Sequence, residues 1–201
     1  MKPVVHIVDD DAPFLRSVSR LLRASGFEVA TYSSVHDFLR RKDPASPGCV
    51  LTDLQMPHQS GLDLQQALAR SANPLPVVFL TSKGDIPTSV RAMRGGAEDF
   101  LTKRAPKAQL VEAIERALAR DARERPQSAA RAGAREKIDV LGAREREVLG
   151  GAIRGLLNKQ IAAELGIAER TVKHHRAAVA RKLGMQSAAE WALLVRDAGA
   201  S

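Results

Sequence analysis

The sequence is poor in cysteine and in aromatic residues. Its 201 residues contain one cysteine, Cys49, which cannot form an internal disulfide and is most simply a small core residue. Aromatic residues make up 3 % of the chain, but hydrophobic residues make up 44 %, so a core can be built from aliphatic side chains. This length is enough for one large domain or two modest ones.

Long hydrophobic runs are also missing from the sequence. No stretch approaches the roughly 18 apolar residues that a membrane span needs. Residues 1–4 lead directly into a charged loop, without the apolar region or cleavage site of a signal peptide. We therefore expect a cytoplasmic protein that has no membrane partner.

Acidic residues are fewer than basic residues, and the formal net charge is +8. The first 119 residues carry a net charge of +2 and the remaining 82 carry +6, so positive charge is denser towards the end of the chain. This distribution is equally consistent with nucleic-acid binding and with a solvated surface plus a basic linker.

The order of apolar patterns divides the chain. Between residue 4 and about residue 124, five short apolar runs alternate with helical periodicity, which predicts an α/β domain over residues 1–120. Its architecture would be flavodoxin-like, a doubly wound five-stranded parallel sheet with helices on both faces. Residues 121–137 are predicted to be a linker or a frayed continuation of the fifth helix. Residues 138–201 show only helical periodicity, which predicts a small all-α domain of four helices.

Chemically distinctive residues follow four of the predicted strands. Since the carboxyl ends of parallel strands share one edge of a sheet, where ligands bind in open α/β folds, we expect these residues to converge. Carboxylates suit Mg²⁺, and an ammonium and a hydroxyl can hold phosphoryl oxygens, although any one acid alone is more simply a helix cap or a solvated loop residue. The residues are Asp9, Asp10, Asp11, Asp53, Thr81, Ser82 and Lys103.

Several segments resemble the receiver domain of a two-component response regulator. The resemblance implies that Asp53 accepts a phosphoryl group from a histidine kinase and that Lys103 contacts that group. It also implies Mg²⁺ binding by Asp10, Asp53 and the Gln55 carbonyl, with Asp9 acting mainly through water, and a switch formed by Thr81 and Phe100. The matching segments are residues 6–11, 52–57, 60–61, 80–82, 84–85 and 96–103.

Two positions depart from the usual receiver pattern. Receiver domains usually place a proline after the lysine, often in a cis bond, whereas Arg104 follows Lys103 here. A non-proline cis bond costs about 3 kcal/mol, so we expect a trans bond and a shifted loop, which puts the reach of Lys103 in question. His58 stands where an acid is common and is most simply an exposed loop residue.

The C-terminal segment contains a helix with two contrasting faces. Val172, Val179 and Leu183 form an apolar side, which could belong to a surface helix in any helical bundle. A small, basic opposite face is suited to the major groove of DNA. That face carries Arg170, His174, Ala177 and Arg181, with Lys173 at its edge.

Residues 138–198 closely resemble a LuxR-type helix-turn-helix domain, on the motifs of residues 144–149, 155–162, 165–173 and 182–184. The resemblance implies a recognition helix from about Glu169 to Leu183, with Ala168 at a position usually occupied by a capping Ser or Thr. The positions that face the bases in that family match Lys173, His174 and Ala177. Recognition of the bases would depend mainly on Lys173 and Arg170. Positions suited to phosphate contacts match Asn158, Lys159, Thr171, His175 and Lys182.

Together the two resemblances indicate a response regulator of the NarL/FixJ family, which is a phosphorylation-activated transcription regulator and not an enzyme in the usual sense. The receiver would catalyse its own phosphorylation and dephosphorylation with Mg²⁺. Its partners would be a histidine kinase, double-stranded DNA, a second copy of the phosphorylated chain and RNA polymerase. Two alternatives stay open: a Mg²⁺-dependent phosphatase, although Gln55 stands where a second acid is common, and a receiver whose pocket no longer signals.

Overall fold

The computed structural model describes residues 2–43, 46–82 and 86–199, so the motif at residues 84–85 lies outside the described residues. The chain divides into two compact units, residues 1–128 and residues 129–201. The boundary between them falls within the segment expected to link two domains. Among the described residues, no helix combines the length and apolarity required to cross a membrane.

The first unit is a five-stranded parallel sheet with the strand order β2-β1-β3-β4-β5, which confirms the predicted fold class. Strands and helices alternate along the described chain. The strands are β1 (Val4–Val8), β2 (Glu28–Tyr32), β3 (Gly48–Asp53), β4 (Val77–Thr81) and β5 (Asp99–Thr102). The helices are α1 (Ala12–Ala24), α2 (Val35–Arg41), α3 (Gly61–Ala69), α4 (Ile86–Arg94) and α5 (Lys107–Asp139).

Alternate residues of the central strands face opposite sides of the sheet. In β4, Val77 and Phe79 pack in one hydrophobic cluster, whereas Val78 and Leu80 pack in the other. All residues of β3 and β4 are buried, as expected of parallel strands that are covered by helices on both faces. The carboxyl ends of these strands therefore emerge together from between two apolar layers.

Strand β2 begins at Glu28, although the apolar residue Phe27 directly precedes it. Gly26 adopts a φ of 91°, a left-handed conformation that ends α1. The backbone N–H of Phe27 then donates to the Leu22 carbonyl at 3.1 Å and belongs to the helix-terminating turn. The turn at the end of α1 therefore delays the strand.

Helix α5 includes the whole segment 121–137, which was predicted to be a linker or a frayed helical continuation. Alanine and arginine are strong helix formers, so the segment is helical despite its few large apolar side chains. Pro126 lies inside the helix and removes one backbone donor from it.

The second unit is all-α, as predicted. Besides the end of α5 it contains α6 (Ala143–Ile153), α7 (Asn158–Leu165), α8 (Glu169–Leu183) and α9 (Ala188–Asp197). Its core is centred on Trp191, which is 2 % exposed and packs in one cluster with Val148, Ile161 and Val179. Gly166 has a φ of 64° and ends α7, so that three residues separate α7 from α8. This is a helix-turn-helix arrangement.

Candidate functional site

Three carboxylates converge at the carboxyl edge of the sheet. Asp9 follows β1, Asp53 ends β3, and each of Asp9, Asp10 and Asp53 has an oxygen within 4.8 Å of the others. Asp9 and Asp53 are buried and Asp10 is exposed. The predicted convergence of these strand ends is therefore present in the structure.

The Lys103 ammonium bridges two of these acids. Its Nζ lies 2.6 Å from Asp9 and 2.8 Å from Asp53, and the lysine side chain is 12 % exposed. Burial by itself lowers the pKa of Lys103, but hydrogen bonds to Asp53 and Asp9 outweigh it, so this pKa lies above its usual value. Burial raises the pKa of Asp9, and the bond to Lys103 partly offsets that rise. One cation thus compensates two buried anions.

The substitution of arginine for proline after Lys103 does not remove the lysine from the site. The Lys103–Arg104 bond is trans, as expected. The backbone N–H of Lys103 donates to the Thr81 carbonyl at 2.9 Å, which joins β5 to the end of β4. Lys103 therefore reaches Asp53 although arginine, and not proline, follows it.

The donor set fits a magnesium ion. Mg²⁺ prefers oxygen ligands and is commonly bound by one or two carboxylates together with water and phosphate oxygens. Asp10 and Asp53 offer such carboxylates within reach of each other. Gln55 follows directly, and its backbone N–H lies 3.3 Å from Asp53 Oδ1, so that the loop after β3 is folded back onto the acid.

Thr81 and Phe100 lie on adjacent strands near this edge. Thr81 is 1 % exposed at the end of β4. Phe100 is half-buried on β5, and its ring centroid lies 5.8 Å from that of Phe79 in the core. Phe100 is thus packed partly inward, on a strand that β4 separates from the strand of Asp53.

Sequence reasoning missed one side chain of this site, Phe14. Its side chain is an ordinary apolar residue of α1 by sequence, yet its ring centroid lies 4.4 Å from Lys103 Nζ. The available signal was its position in the first turn of a helix that follows Asp9 by three residues. Polar residues at the ends of strands do not indicate which aromatic residue of a neighbouring helix will contact them.

The second unit presents the predicted basic face on α8. Val172, Val179 and Leu183 are buried, so the opposite side of the helix is turned to solvent. Ala168 precedes the helix without a side-chain capping bond, as its sequence predicted. The exposed residues of the predicted face are Arg170, Lys173, His174, Ala177 and Arg181.

The predicted phosphate-contacting residues differ in their surroundings. Lys159 and Thr171 are exposed, and His175 is half-buried. The Asn158 side-chain oxygen accepts a hydrogen bond from Arg176 at 3.1 Å, which leaves its amide group to donate. Lys182 forms an ion pair with Glu145 at 2.7 Å, so its charge is already partnered.

A five-stranded parallel sheet with three acids and a lysine at its carboxyl edge, followed by a helix-turn-helix unit, defines a response regulator with a DNA-binding domain. Residues 5–115 match the family model of the response regulator receiver domain, and residues 139–195 match that of the bacterial regulatory proteins of the luxR family. The chain belongs to the response regulators that combine these two domains, as in the NarL/FixJ family.

Similar proteins have the same organisation. Nodulation protein W of Bradyrhizobium diazoefficiens is 40 % identical over 189 residues, which cover 94 % of this chain and 83 % of that protein. The transcriptional regulatory protein FixJ of Azorhizobium caulinodans is 38 % identical and covers 97 % and 92 %, respectively. A solved structure of the response regulator StyR is 42 % identical, with a TM-score of 0.63, and covers 98 % of this chain and 99 % of that one.

The family assigns the class of activity. The chain is a two-component transcription regulator that is activated by phosphorylation, with a receiver domain that implies a histidine kinase as partner and a LuxR-type domain that implies DNA binding. It is not a classical enzyme. The phosphatase alternative is therefore set aside, in agreement with Gln55 at the position where a second acid is common.

Proposed function

We propose that Asp53 is the phosphoryl acceptor of this regulator. The observation that supports this assignment is the Lys103 ammonium, which lies 2.8 Å from Asp53 and 2.6 Å from Asp9. A cation in this position can move from the free carboxylates to the oxygens of an arriving phosphoryl group. The same contact favours a working pocket over one that no longer signals.

Phosphoryl transfer would proceed at the Asp53 carboxylate, at the carboxyl edge of the sheet. A carboxylate oxygen of Asp53 attacks phosphorus while the bond from phosphorus to the kinase histidine breaks, and the histidine nitrogen keeps the electron pair. Mg²⁺ would be held by Asp10, Asp53 and the Gln55 carbonyl, with Asp9 acting mainly through water, and would supply charge neutralisation. Lys103 and the Thr81 hydroxyl hold phosphoryl oxygens. Attack by water on phosphorus would return Asp53 to its free form, so the receiver catalyses both steps on itself.

The signal would leave the site through Thr81 and Phe100. The phosphoryl group adds up to about two negative charges and strong hydrogen-bond acceptors. These draw the Thr81 side chain towards the phosphoryl group, which frees space for the Phe100 ring to rotate. This reshapes the surface of α4 and β5. Ile86 is 80 % exposed on α4, and Val90 and Met93 are also exposed, an apolar group suited to contact with a second copy. The phosphorylated chain would therefore form a homodimer.

The helix-turn-helix unit would read promoter DNA. Lys173, His174, Ala177 and Arg170 face the bases, and α8 enters the major groove. A dimer binds two half-sites about one helical turn apart and gains affinity without new contacts. RNA polymerase would be a further partner of the promoter-bound regulator, which would act in the cytoplasm. Backbone phosphates would be contacted by Asn158, Lys159, Thr171, His175, Arg181 and Lys182.

The acceptor is tested with Asp53→Asn. The protein is incubated with acetyl phosphate and Mg²⁺, and the phosphoryl adduct is located by mass spectrometry of the intact chain and its peptides. We expect stoichiometric labelling of the wild type and none of the variant. Asp63→Asn is the matched control, because Asp63 is an exposed acid ten residues further on, and it should label normally.

Equal labelling of Asp53→Asn and wild type would mean that another residue is the phosphoryl acceptor. DNA binding is followed in the same samples by footprinting on the upstream promoter. We expect phosphorylation to increase both dimer formation and protection of two adjacent half-sites. Labelling that changes neither would contradict the proposed switch and leave the acceptor assignment intact.

A further inference from the structure

An aromatic ring covers the lysine of the phosphoryl-acceptor site. The Nζ atom of Lys103 lies 4.4 Å from the centroid of the Phe14 ring. The face of an aromatic ring carries negative potential and attracts a cation at this distance, more strongly when water is excluded. Phe14 is half-buried and the Lys103 side chain is 12 % exposed, so the contact is largely shielded.

The chain after β1 fixes where this ring lies. Asp9 Oδ1 accepts a hydrogen bond from the backbone N–H of Asp11 at 2.9 Å. Asp11 is the N-cap of α1, and its Oδ1 accepts from the backbone N–H of Phe14 at 3.0 Å. Two consecutive hydrogen bonds therefore tie the backbone of Phe14 to Asp9, the same acid that pairs with Lys103.

We propose that Phe14 is a positioning residue for Lys103 in phosphoryl transfer, an inference that rests on the proposed role of Asp53. The two carboxylate partners of Lys103 change during the reaction, because phosphorylation converts the Asp53 carboxylate to an acyl phosphate and Asp9 would interact with the water of a bound Mg²⁺. The ring is neutral and is no metal ligand. Its attraction for the ammonium therefore persists through every stage and keeps Lys103 over the incoming phosphoryl oxygens.

The inference is tested with Phe14→Leu and Phe14→Tyr in the full-length chain. Leucine keeps an apolar side chain without a ring face, and tyrosine keeps the ring. Acetyl phosphate with Mg²⁺ is the phosphodonor, so that contacts with a kinase do not contribute. We expect Phe14→Leu to lower the maximal labelling rate about threefold to tenfold, with little change in the half-saturating donor concentration, and Phe14→Tyr to restore it.

Two further measurements distinguish a purely structural role of Phe14 from an action through Lys103. In a Lys103→Ala background, Phe14→Leu should lower the rate no further, because a coupled pair is not additive. Without Mg²⁺ or phosphodonor, the ring should shift the NMR signals of the Lys103 ε-methylene protons upfield. That shift should be retained in Phe14→Tyr and lost in Phe14→Leu, with thermal unfolding confirming that each variant is folded.

Three kinetic results would overturn the inference: a normal rate for Phe14→Leu, equal losses in Phe14→Leu and Phe14→Tyr, or an undiminished effect of Phe14→Leu when Lys103 is absent. An absent ring-current shift on Lys103 would also overturn it. Failure of the acceptor assignment is distinct, because Asp53→Asn would then be labelled like wild type. Labelling of Asp53 at the normal rate in Phe14→Leu would contradict the proposed role of Phe14 and leave the acceptor assignment intact.

Discussion

The carboxylate of Asp121 accepts a hydrogen bond at 2.9 Å from the backbone N–H of Gly48, 73 residues earlier in the chain. Asp121 lies on α5, is 3 % exposed, and forms an ion pair with Arg125 at 2.9 Å. Gly48 begins β3, the strand that ends at Asp53. One buried acid therefore attaches the long helix to the beginning of the strand that carries the proposed acceptor.

Replacing Asp121 by alanine should destabilise the receiver domain. The change leaves the Gly48 N–H without its acceptor and breaks a largely buried ion pair, which together cost about 2–4 kcal/mol. Urea unfolding followed by far-UV circular dichroism measures the loss. Asp121→Asn, which keeps an acceptor for Gly48 but not the charge, should lose less.

Glu124→Ala provides the comparison on the same helix. Glu124 pairs with Arg120 at 3.1 Å, but its side chain is 48 % exposed, so the loss should stay below about 1 kcal/mol. Fluorescence of Trp191, the single tryptophan, follows the second unit separately. If Asp121→Ala proved no more destabilising than Glu124→Ala, the buried attachment would have no energetic role.

The acidic cluster was predictable because parallel strands dictate where their carboxyl ends meet. Asp9, Asp53 and Lys103 needed only the strand assignment to be placed together. The bond from Asp121 to Gly48 was not predictable, since it depends on the length and packing of a helix whose continuation the sequence left ambiguous. The contact of Phe14 with Lys103 escaped for a related reason: hydrophobic periodicity describes which face of α1 is apolar, not which cation lies against it.

His6 should make folding stability depend on pH. It is 3 % exposed on β1, its Nδ1 lies 3.1 Å from the Tyr32 hydroxyl, and its Nε2 has no hydrogen-bond partner within the described part of the chain. Burial, and to a smaller extent the charge of Lys42, lowers the pKa of His6 to about 4. The folded chain therefore strongly favours the neutral ring.

The sign follows from which state binds the proton first. An unfolded histidine titrates near its ordinary pKa of about 6.5, so the unfolded chain takes up a proton as the pH falls from 6.5 towards 4, and stability is lost over that window. Between pH 7.5 and pH 5 we expect His6 to account for a loss of about 2 kcal/mol in the free energy of unfolding. Urea unfolding at a series of pH values measures it.

His6→Phe, which keeps a ring beside Tyr32 and Phe38, should flatten this dependence whatever its absolute stability. His36→Gln is the matched control, because His36 is exposed on α2. Acids such as Asp9 are present in every variant, so their titration cancels in the comparison. An unchanged pH slope in His6→Phe would assign the dependence to other groups.

Gly61 allows the start of α3 to approach the proposed acceptor closely. A Cβ at this position would overlap the backbone oxygen of Asp53 and lie 2.9 Å from the Phe79 ring. Gly61→Ala should therefore displace the backbone of Asp53, lower the stability by about 1–3 kcal/mol and slow labelling by acetyl phosphate. Thermal unfolding and the labelling rate are the two measurements.

Gly133→Ala makes the same chemical change where space is open. Beyond its chain neighbours and the nearby helix backbone, no atom of the described residues lies within 4 Å of a Cβ at Gly133. The residue is inside α5, so alanine should stabilise the helix by up to about 1 kcal/mol and leave labelling unchanged. A Gly61→Ala variant as stable and as readily labelled as wild type would show that the loop after β3 yields without moving Asp53.

Glu145 should restrain the affinity of the helix-turn-helix unit for DNA through Lys182. The Lys182 ammonium lies 2.7 Å from Glu145, whose carboxylate also accepts from the backbone N–H of Gly142 at 2.7 Å. Glu145→Gln keeps an acceptor for Gly142 and releases the lysine to contact a phosphate. We expect affinity to rise about severalfold at moderate salt, with the slope of log affinity against log salt steeper by about one unit.

Glu147→Gln separates this release from a simple change of net charge. Glu147 lies on the same helix and pairs with Arg144 at 2.7 Å, so its replacement removes one negative charge without freeing Lys182. Fluorescence anisotropy of a labelled duplex at several salt concentrations should then show a steeper slope for Glu145→Gln alone, and Lys182→Ala should abolish the difference. Equal gains in the two glutamine variants would mean that bulk charge, and not the Lys182 contact, sets the response, because both variants alter the overall potential by the same amount.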